Sequence, residues 1–282
     1  DVGHRVASQW EGETLKDIYS INASDGARVL VKKDLSGMAM VSAQGRYIAW
    51  YDNRTRHYHT WDGKTTRDIS GKLPVKLFDE EFDMPDDPTP YGPVRWTSDD
   101  ANLLVYDRFD IWQLDPQCQR NPINVTGGEG RKTRNSYRYV QTDPEEYSLR
   151  PDQELILRRF DEVTKRSGWS GLRLDDPGAP VPKCFTDNVY GQLVKAKDTS
   201  VYAYTKETYV ESPDLWVSKD LVSGRKLSNI NPQQAGYNWG RAELFTWKAY
   251  DGKNATGIVY KPEDWDPKKK YPMIAYFYEK LS

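Results

Sequence analysis

The pentapeptide GWSGL, residues 168–172, is where the sequence comes nearest to a serine nucleophile. Such a serine sits in a strained strand-to-helix turn of the form G-x-S-x-G, with small residues on both sides because a helix packs against the turn. Here Gly171 falls one position early, Leu172 stands where the second glycine belongs, and SGLRLDD continues as a strand pattern. Ser170 is therefore read as a strand residue. Histidine, the common base partner of serine, occurs only at His4, His57 and His59. His57 and His59 alternate in RHYHT, which places both on one face of a strand. A zinc site would need a third ligand, and none stands at a telling distance along the chain, so paired strand side chains are the simpler reading. The run DEEFDMPDD, residues 79–87, holds six carboxylates in nine positions. It reads first as a solvated insertion, with a cation site as the least favoured alternative.

These groups need a frame. Four segments align without gaps: QGRYIAW from Gln44, DANLLVY from Asp100, DQELILR from Asp152 and DTSVYAY from Asp198. Each is a polar turn followed by a short apolar strand, and the anchors lie 46 to 56 residues apart. A second pattern follows each strand, as in DIWQLDPQCQRNPINVT, GLRLDDPGAPVPKCFT, DLWVSKDLVSGRKLS and, more weakly, HYHTWDGKTTRDIS. DIYSINASDGARVLV repeats that second half near the N-terminus without a first half before it. Repeats of four antiparallel strands at this period predict an all-β, partial β-propeller of about four and a half blades. A β-sandwich with similar strands is the alternative, and it accounts less well for the regular period.

Composition agrees with short, half-buried strands. Aromatic residues reach 13%, with 10 Trp and 19 Tyr, while mean hydropathy is −0.84 and 29% of residues are charged. The net charge of −2 offers no basic excess for nucleic acid. No run approaches the ~20 apolar residues of a membrane helix. Cys118 and Cys184 are isolated and read as two unpaired thiols. The first ten residues, DVGHRVASQW, hold neither Met nor an apolar signal core, so the sequence reads as beginning inside a longer chain.

The period stops after Asn231-Pro232. Two alternating stretches then flank the turn YDGKN, and a proline-rich, lysine-rich loop leads into KYPMIAYFY, which reads as a buried strand. The expected division is a propeller portion over 1–235 and the start of a second domain over 236–282.

The run DG…GIVYKPEDWDPKKKYPMIAYFY resembles the entry into the α/β-hydrolase domain of the prolyl oligopeptidase family of serine peptidases, in its dipeptidyl peptidase IV-like branch. MPDDPTPYGPVRWTSDDANLLVYDRFDIWQLDP also resembles a propeller blade of bacterial members, and the likeness spans nearly the whole chain. The resemblance implies that a propeller restricts access to a serine peptidase acting on short peptides, with release of N-terminal dipeptides as one form. It implies no cofactor and no metal. Catalysis would run by serine attack, an acyl-enzyme and hydrolysis, with the triad in the remainder of the polypeptide and not in these 282 residues. Tyr278 takes the place of the family's oxyanion-hole tyrosine, where a phenol donor stabilises the developing negative charge. Glu80 and Glu81 invite comparison with the family's glutamate pair, which clamps the free amino terminus of the substrate. The resemblance places such a protein in the bacterial periplasm or cytoplasm, the periplasm favoured. An open propeller exposes strand edges and blade faces, so the chain is expected to pair with its missing remainder or with a second copy.

Two rivals stand beside this reading. A TolB-like propeller would bind a partner without chemistry. A carbohydrate-active propeller would need acids converging on its channel, for which Asp107 and Asp110 in YDRFDIW are the candidates; as turn caps they have a simpler role.

Overall fold

The strand LLVY, Leu103–Tyr106, is apolar at every position and fully buried, because its two faces belong to two different cores. Alternate side chains of a strand point to opposite faces. Leu103 and Val105 accordingly enter one core, and Leu104 and Tyr106 the next. This sharing of sheets between successive cores organises the whole molecule. The computed structural model describes residue 6 and residues 8–277.

Among the described residues, four antiparallel sheets of four or five strands follow one another along the chain. The first is β3 (Gly37–Val41), β4 (Ile48–Asp52), β5 (His57–Trp61) and β6 (Thr66–Asp68), preceded by the two-stranded β1 (Lys16–Ile21) and β2 (Arg28–Leu35). The second is β7 (Pro93–Trp96), β8 (Leu103–Tyr106), β9 (Ile111–Leu114) and β10 (Ile123–Asn124). The third is β11 (Asn135–Tyr139), β12 (Leu155–Asp161), β13 (Ser167–Leu172) and β14 (Val181–Thr186). The fourth joins β15 (Val189–Tyr190), β16 (Val194–Lys195), β17 (Tyr202–Thr208), β18 (Glu211–Ser218) and β19 (Arg225–Lys226). The four repeat anchors of the sequence lead into β4, β8, β12 and β17, the central strands of the four sheets. The fold is the all-β array of propeller blades that the repeat predicts, and it is unclosed.

Three cores lie between successive sheets. Tyr51, Tyr58, Trp96 and Leu103 fill the first, Leu104, Tyr137, Leu155 and Leu157 the second, and Ile156, Trp169, Tyr190 and Tyr204 the third. In the third, Trp169 meets Tyr190 and Tyr204 at ring separations of 4.5 and 4.7 Å, spacings at which tilted and edge-to-face rings attract. Cys118 and Cys184 are both free thiols.

After β19 a short 3-10 turn, Pro232–Gly236, leads to a hairpin of β20 (Arg241–Lys248) and β21 (Asn254–Lys261). Its turn is the one that YDGKN predicts: Ala249 N–H donates to Lys253 C=O at 2.8 Å, and Gly252 takes φ +82°, a conformation that glycine adopts without strain. Residues 271–277 correct the sequence reading. They join no ladder among the described residues, and their side chains are exposed, Ile274 at 95%. The run is apolar enough for a buried strand, but burial requires a paired neighbour and a covering layer. The preceding hairpin supplies neither, its own Leu244, Phe245 and Ile258 being exposed. Among the described residues no helix is long and apolar enough to cross a membrane.

Candidate functional site

The second and third sheets meet at a cluster of ionised side chains built on the β8–β9 turn. Asp107, fully buried, organises that turn: Oδ1 accepts from the amides of Phe109 and Asp110, both at 2.6 Å, and Oδ2 accepts from Trp112 Nε1 at 3.0 Å. An aspartate that caps the two amides after it is a common way to close a tight turn. Asp110 is also buried and accepts from Thr126 Oγ1 at 2.6 Å, Gly130 N–H at 2.9 Å and Arg131 N–H at 3.0 Å. Burial raises its carboxyl above the usual range, against the pull of these donors. They draw the one-turn helix Glu129–Thr133 onto the turn so closely that a Cβ on Gly130 would lie 2.7 Å from Asp110 Oδ1. Asp107 and Asp110 are thus consumed in holding the turn, the simpler of their two sequence readings.

The turn presents Arg108, and the helix presents Arg131. Both guanidiniums lie over the Phe109 ring, 5.1 and 5.2 Å from its centre. Each takes one carboxylate from the acidic run: Glu80 Oε1 is 2.9 Å from Arg131 Nη2, and Glu81 Oε1 is 2.6 Å from Arg108 Nη2. Each also keeps a carboxylate of the blades themselves. Arg108 donates through Nε and Nη2 to the two oxygens of Glu162, at 3.1 and 2.7 Å, in the two-pronged geometry that suits a guanidinium. Arg131 Nη2 lies 3.5 Å from Asp107 Oδ2. Glu162, and after it Glu81, hold the Arg108 pKa above its ordinary value. Burial alone would lower that of Arg131, but its bond to Glu80 and the charge of Asp107 leave it raised.

Arg138 completes the cluster. Its guanidinium donates to the carbonyls of Tyr137, Asp107 and Arg108, at 2.8, 3.3 and 2.9 Å, and lies 4.7 Å from the Tyr106 ring and 5.7 Å from the Tyr91 ring. Burial lowers its pKa.

The acidic run is therefore folded down by arginines and is not a freely solvated insertion. Its base is closed by an antiparallel bridge between Phe78 and Pro90, by Asp79 N–H to Thr89 C=O at 2.8 Å and by Tyr91 N–H to Leu77 C=O at 2.9 Å. Glu80 N–H donates to Tyr91 Oη at 3.0 Å. Arg108, Arg131 and Glu162 were not singled out in the sequence. They lie in two separate turns and a one-turn helix, and nothing in their local patterns marks them.

The other sequence candidates lie elsewhere. Ser170 is in mid-strand β13, paired with Leu157 and Pro182, fully buried, and its Oγ has no hydrogen-bond partner among the described residues. No reactant can reach it there. His57 and His59 project from β5, His57 Nδ1 2.7 Å from Asp68 Oδ2 and His59 Nε2 3.1 Å from Thr55 Oγ1, with the His59 ring stacked on Trp50. Tyr278 and His4 lie outside the described residues. As it stands, the cluster can recognise charge and hold a loop; among the described residues it holds no nucleophile.

No family model and no curated protein matches the sequence. Among solved structures the chain is similar to a putative dipeptidyl aminopeptidase IV from Bacteroides ovatus, at 12% identity and a TM-score of 0.55, over 92% of this chain and 39% of that one. A puromycin-hydrolyzing peptidase of Mycobacterium tuberculosis matches at 14% identity and a TM-score of 0.45, over 84% of this chain and 36% of that one. Prolyl oligopeptidase B from Galerina marginata matches at 8% identity and a TM-score of 0.44, over 90% and 36%. The chain thus spans well under half the length of these structures. Its likeness to the Bacteroides ovatus protein is one of fold, and it extends through nearly the whole of the blade array.

Proposed function

We propose that this chain is the substrate-gating propeller portion of a serine peptidase of the prolyl oligopeptidase type, cleaving short peptides and releasing N-terminal dipeptides. The observation that carries the proposal is the order of parts: four propeller blades, then a hairpin, β20–β21, that belongs to none of them. The fold likeness to a dipeptidyl aminopeptidase IV supports it. On this reading residues 1–235 restrict access, residues 236–282 open an α/β-hydrolase domain, and Tyr278 is an oxyanion donor. Glu80 and Glu81 bind the substrate's ammonium, which must compete with Arg131 and Arg108 for them. The triad comes from polypeptide outside these 282 residues, so the chain alone does not hydrolyse peptides.

The test begins with the intact mass of the purified chain, followed by dipeptide reporter substrates and by calorimetry with a free and an N-acetylated dipeptide. The expected result is a mass of 282 residues, no turnover, and a preference of about tenfold for the free amine, worth about 1.4 kcal/mol. Glu80→Gln/Glu81→Gln should abolish that preference. Turnover by material of the correct mass would refute the absence of a triad. Equal affinity for the two dipeptides would remove the ammonium role.

A further inference from the structure

The acidic run is fastened in an unusual way. Its two ends are joined to each other by backbone bonds, yet its middle is tied to the blades mainly through side-chain charge. Glu80 pairs with Arg131, Glu81 with Arg108, and Asp87 with Arg56 at 3.6 Å. The tip itself is exposed from Asp83 to Asp87, Met84 at 62%, with Phe82 half-buried and Pro88 buried on either side of it, and Pro85 and Pro88 lack backbone donors. These ion pairs are half-exposed, Arg108 the most covered at 17%, and pairs open to water are individually weak and weakened further by salt.

The arginines beneath make release easy. A buried charge deprived of its partner resists separation strongly, but Arg108 would keep both oxygens of Glu162, and Arg131 would keep Asp107. The departing glutamates would be taken up by water. Opening thus exchanges paired carboxylates for solvated ones and leaves neither Arg108 nor Arg131 without a counter-charge, while the half-exposed Arg56 passes from Asp87 to water. The Phe109 ring, only 5% exposed, lies under the Arg108 and Arg131 guanidiniums themselves, so the two arginines keep their seat when the glutamates leave.

We infer that residues 78–91 form a strap, hinged at the Phe78–Pro90 bridge and latched by the Glu80–Arg131 and Glu81–Arg108 pairs, that opens to free the Glu80 and Glu81 carboxylates. Its use as control over the Glu80–Glu81 pair rests on the peptidase reading above; the movement itself does not.

Hydrogen exchange on the whole chain, read by mass spectrometry, tests the movement. Raising salt from about 0.01 M to about 1 M shortens the screening length from about 30 Å to about 3 Å. The hydrogen-bonded amides of residues 79–82, 86 and 87 should then exchange about tenfold faster, while β8 and β12 stay unchanged. Glu80→Gln/Glu81→Gln, on exposed or half-exposed side chains that the fold does not need, should exchange at the fast rate at low salt and lose the salt dependence. Strap amides that exchange alike at both salt concentrations would overturn the inference, and so would a double variant with wild-type protection. Both outcomes are independent of whether a dipeptide binds, so failure of the strap and failure of the ammonium role are told apart.

Discussion

Replacing Asp107 by Asn tests whether one buried carboxylate holds the β8–β9 turn and, through it, Arg108 and Arg131. Asparagine keeps the shape and one acceptor oxygen, so the amides of Phe109 and Asp110 still find a partner. Those two bonds become neutral, however, and charge-assisted bonds are roughly twice as strong as neutral ones. On the other side the new NH2 group faces the Trp112 Nε1–H, donor against donor, where a 3.0 Å bond stood. Loss of a charged hydrogen bond costs about 1.5–3 kcal/mol, and weakening of the two amide bonds brings the expected total to about 3–4 kcal/mol. Urea unfolding followed by circular dichroism would measure it, with Trp112→Phe and the double variant completing a cycle. Trp112→Phe removes the conflicting donor, so the double variant should be less damaged than the sum of the singles by about 1–2 kcal/mol. Additivity within about 0.5 kcal/mol would refute the placement of Trp112 as a ligand of Asp107. A Asp107→Asn variant as stable as the wild type would refute the account of the turn altogether.

Two further outcomes follow from buried polar groups. Ser170→Ala should leave stability unchanged or raise it by up to about 1–2 kcal/mol, since it removes a buried hydroxyl that has no partner among the described residues; a large loss in the urea midpoint would contradict that setting. His59 is pushed below its ordinary value of 6.5 by burial against Trp50, with Asp68, Asp52, His57 and Lys32 as the charged groups around it. The unfolded chain therefore takes up the proton first as pH falls, so the His59 contribution is fully present above about pH 6.5 and declines below it toward the folded pKa. Urea midpoints at about pH 7.5 and about pH 5.5 should show this decline, and His59→Phe should flatten it; an unaltered slope in the variant would locate the titration elsewhere.

The blades were legible because their central strands are buried on both faces. Such strands appear in the sequence as continuous apolar runs such as LLVY and LILR, which stand out from a polar background and recur at a fixed period. The site was not legible for the opposite reason. Arg108 and Glu162 are 54 residues apart, and Arg131 and Glu80 are 51 apart. In a chain where 29% of residues are charged, no local pattern distinguishes a paired arginine from a solvated one. Glu80 and Glu81 were visible as an acidic run, but their arginines were not, so the run's folded-down state could not be read. Residues 271–277 show a third limit. Apolar content indicates what a segment would gain by burial and not whether a neighbour is there to bury it.

Because each core is a seam between two sheets, the second and third sheets are held by two seams each, and the first and fourth by one. Stability in such an array is a string of nearest-neighbour couplings. The molecule should fray from its outer sheets inward, and injury to one seam should pass to the others only through the sheet they share. The charged cluster spans the turn of the second sheet and the strands of the third, at the most doubly held point of the string. A loop that opens and closes there does so over the part of the protein that yields last.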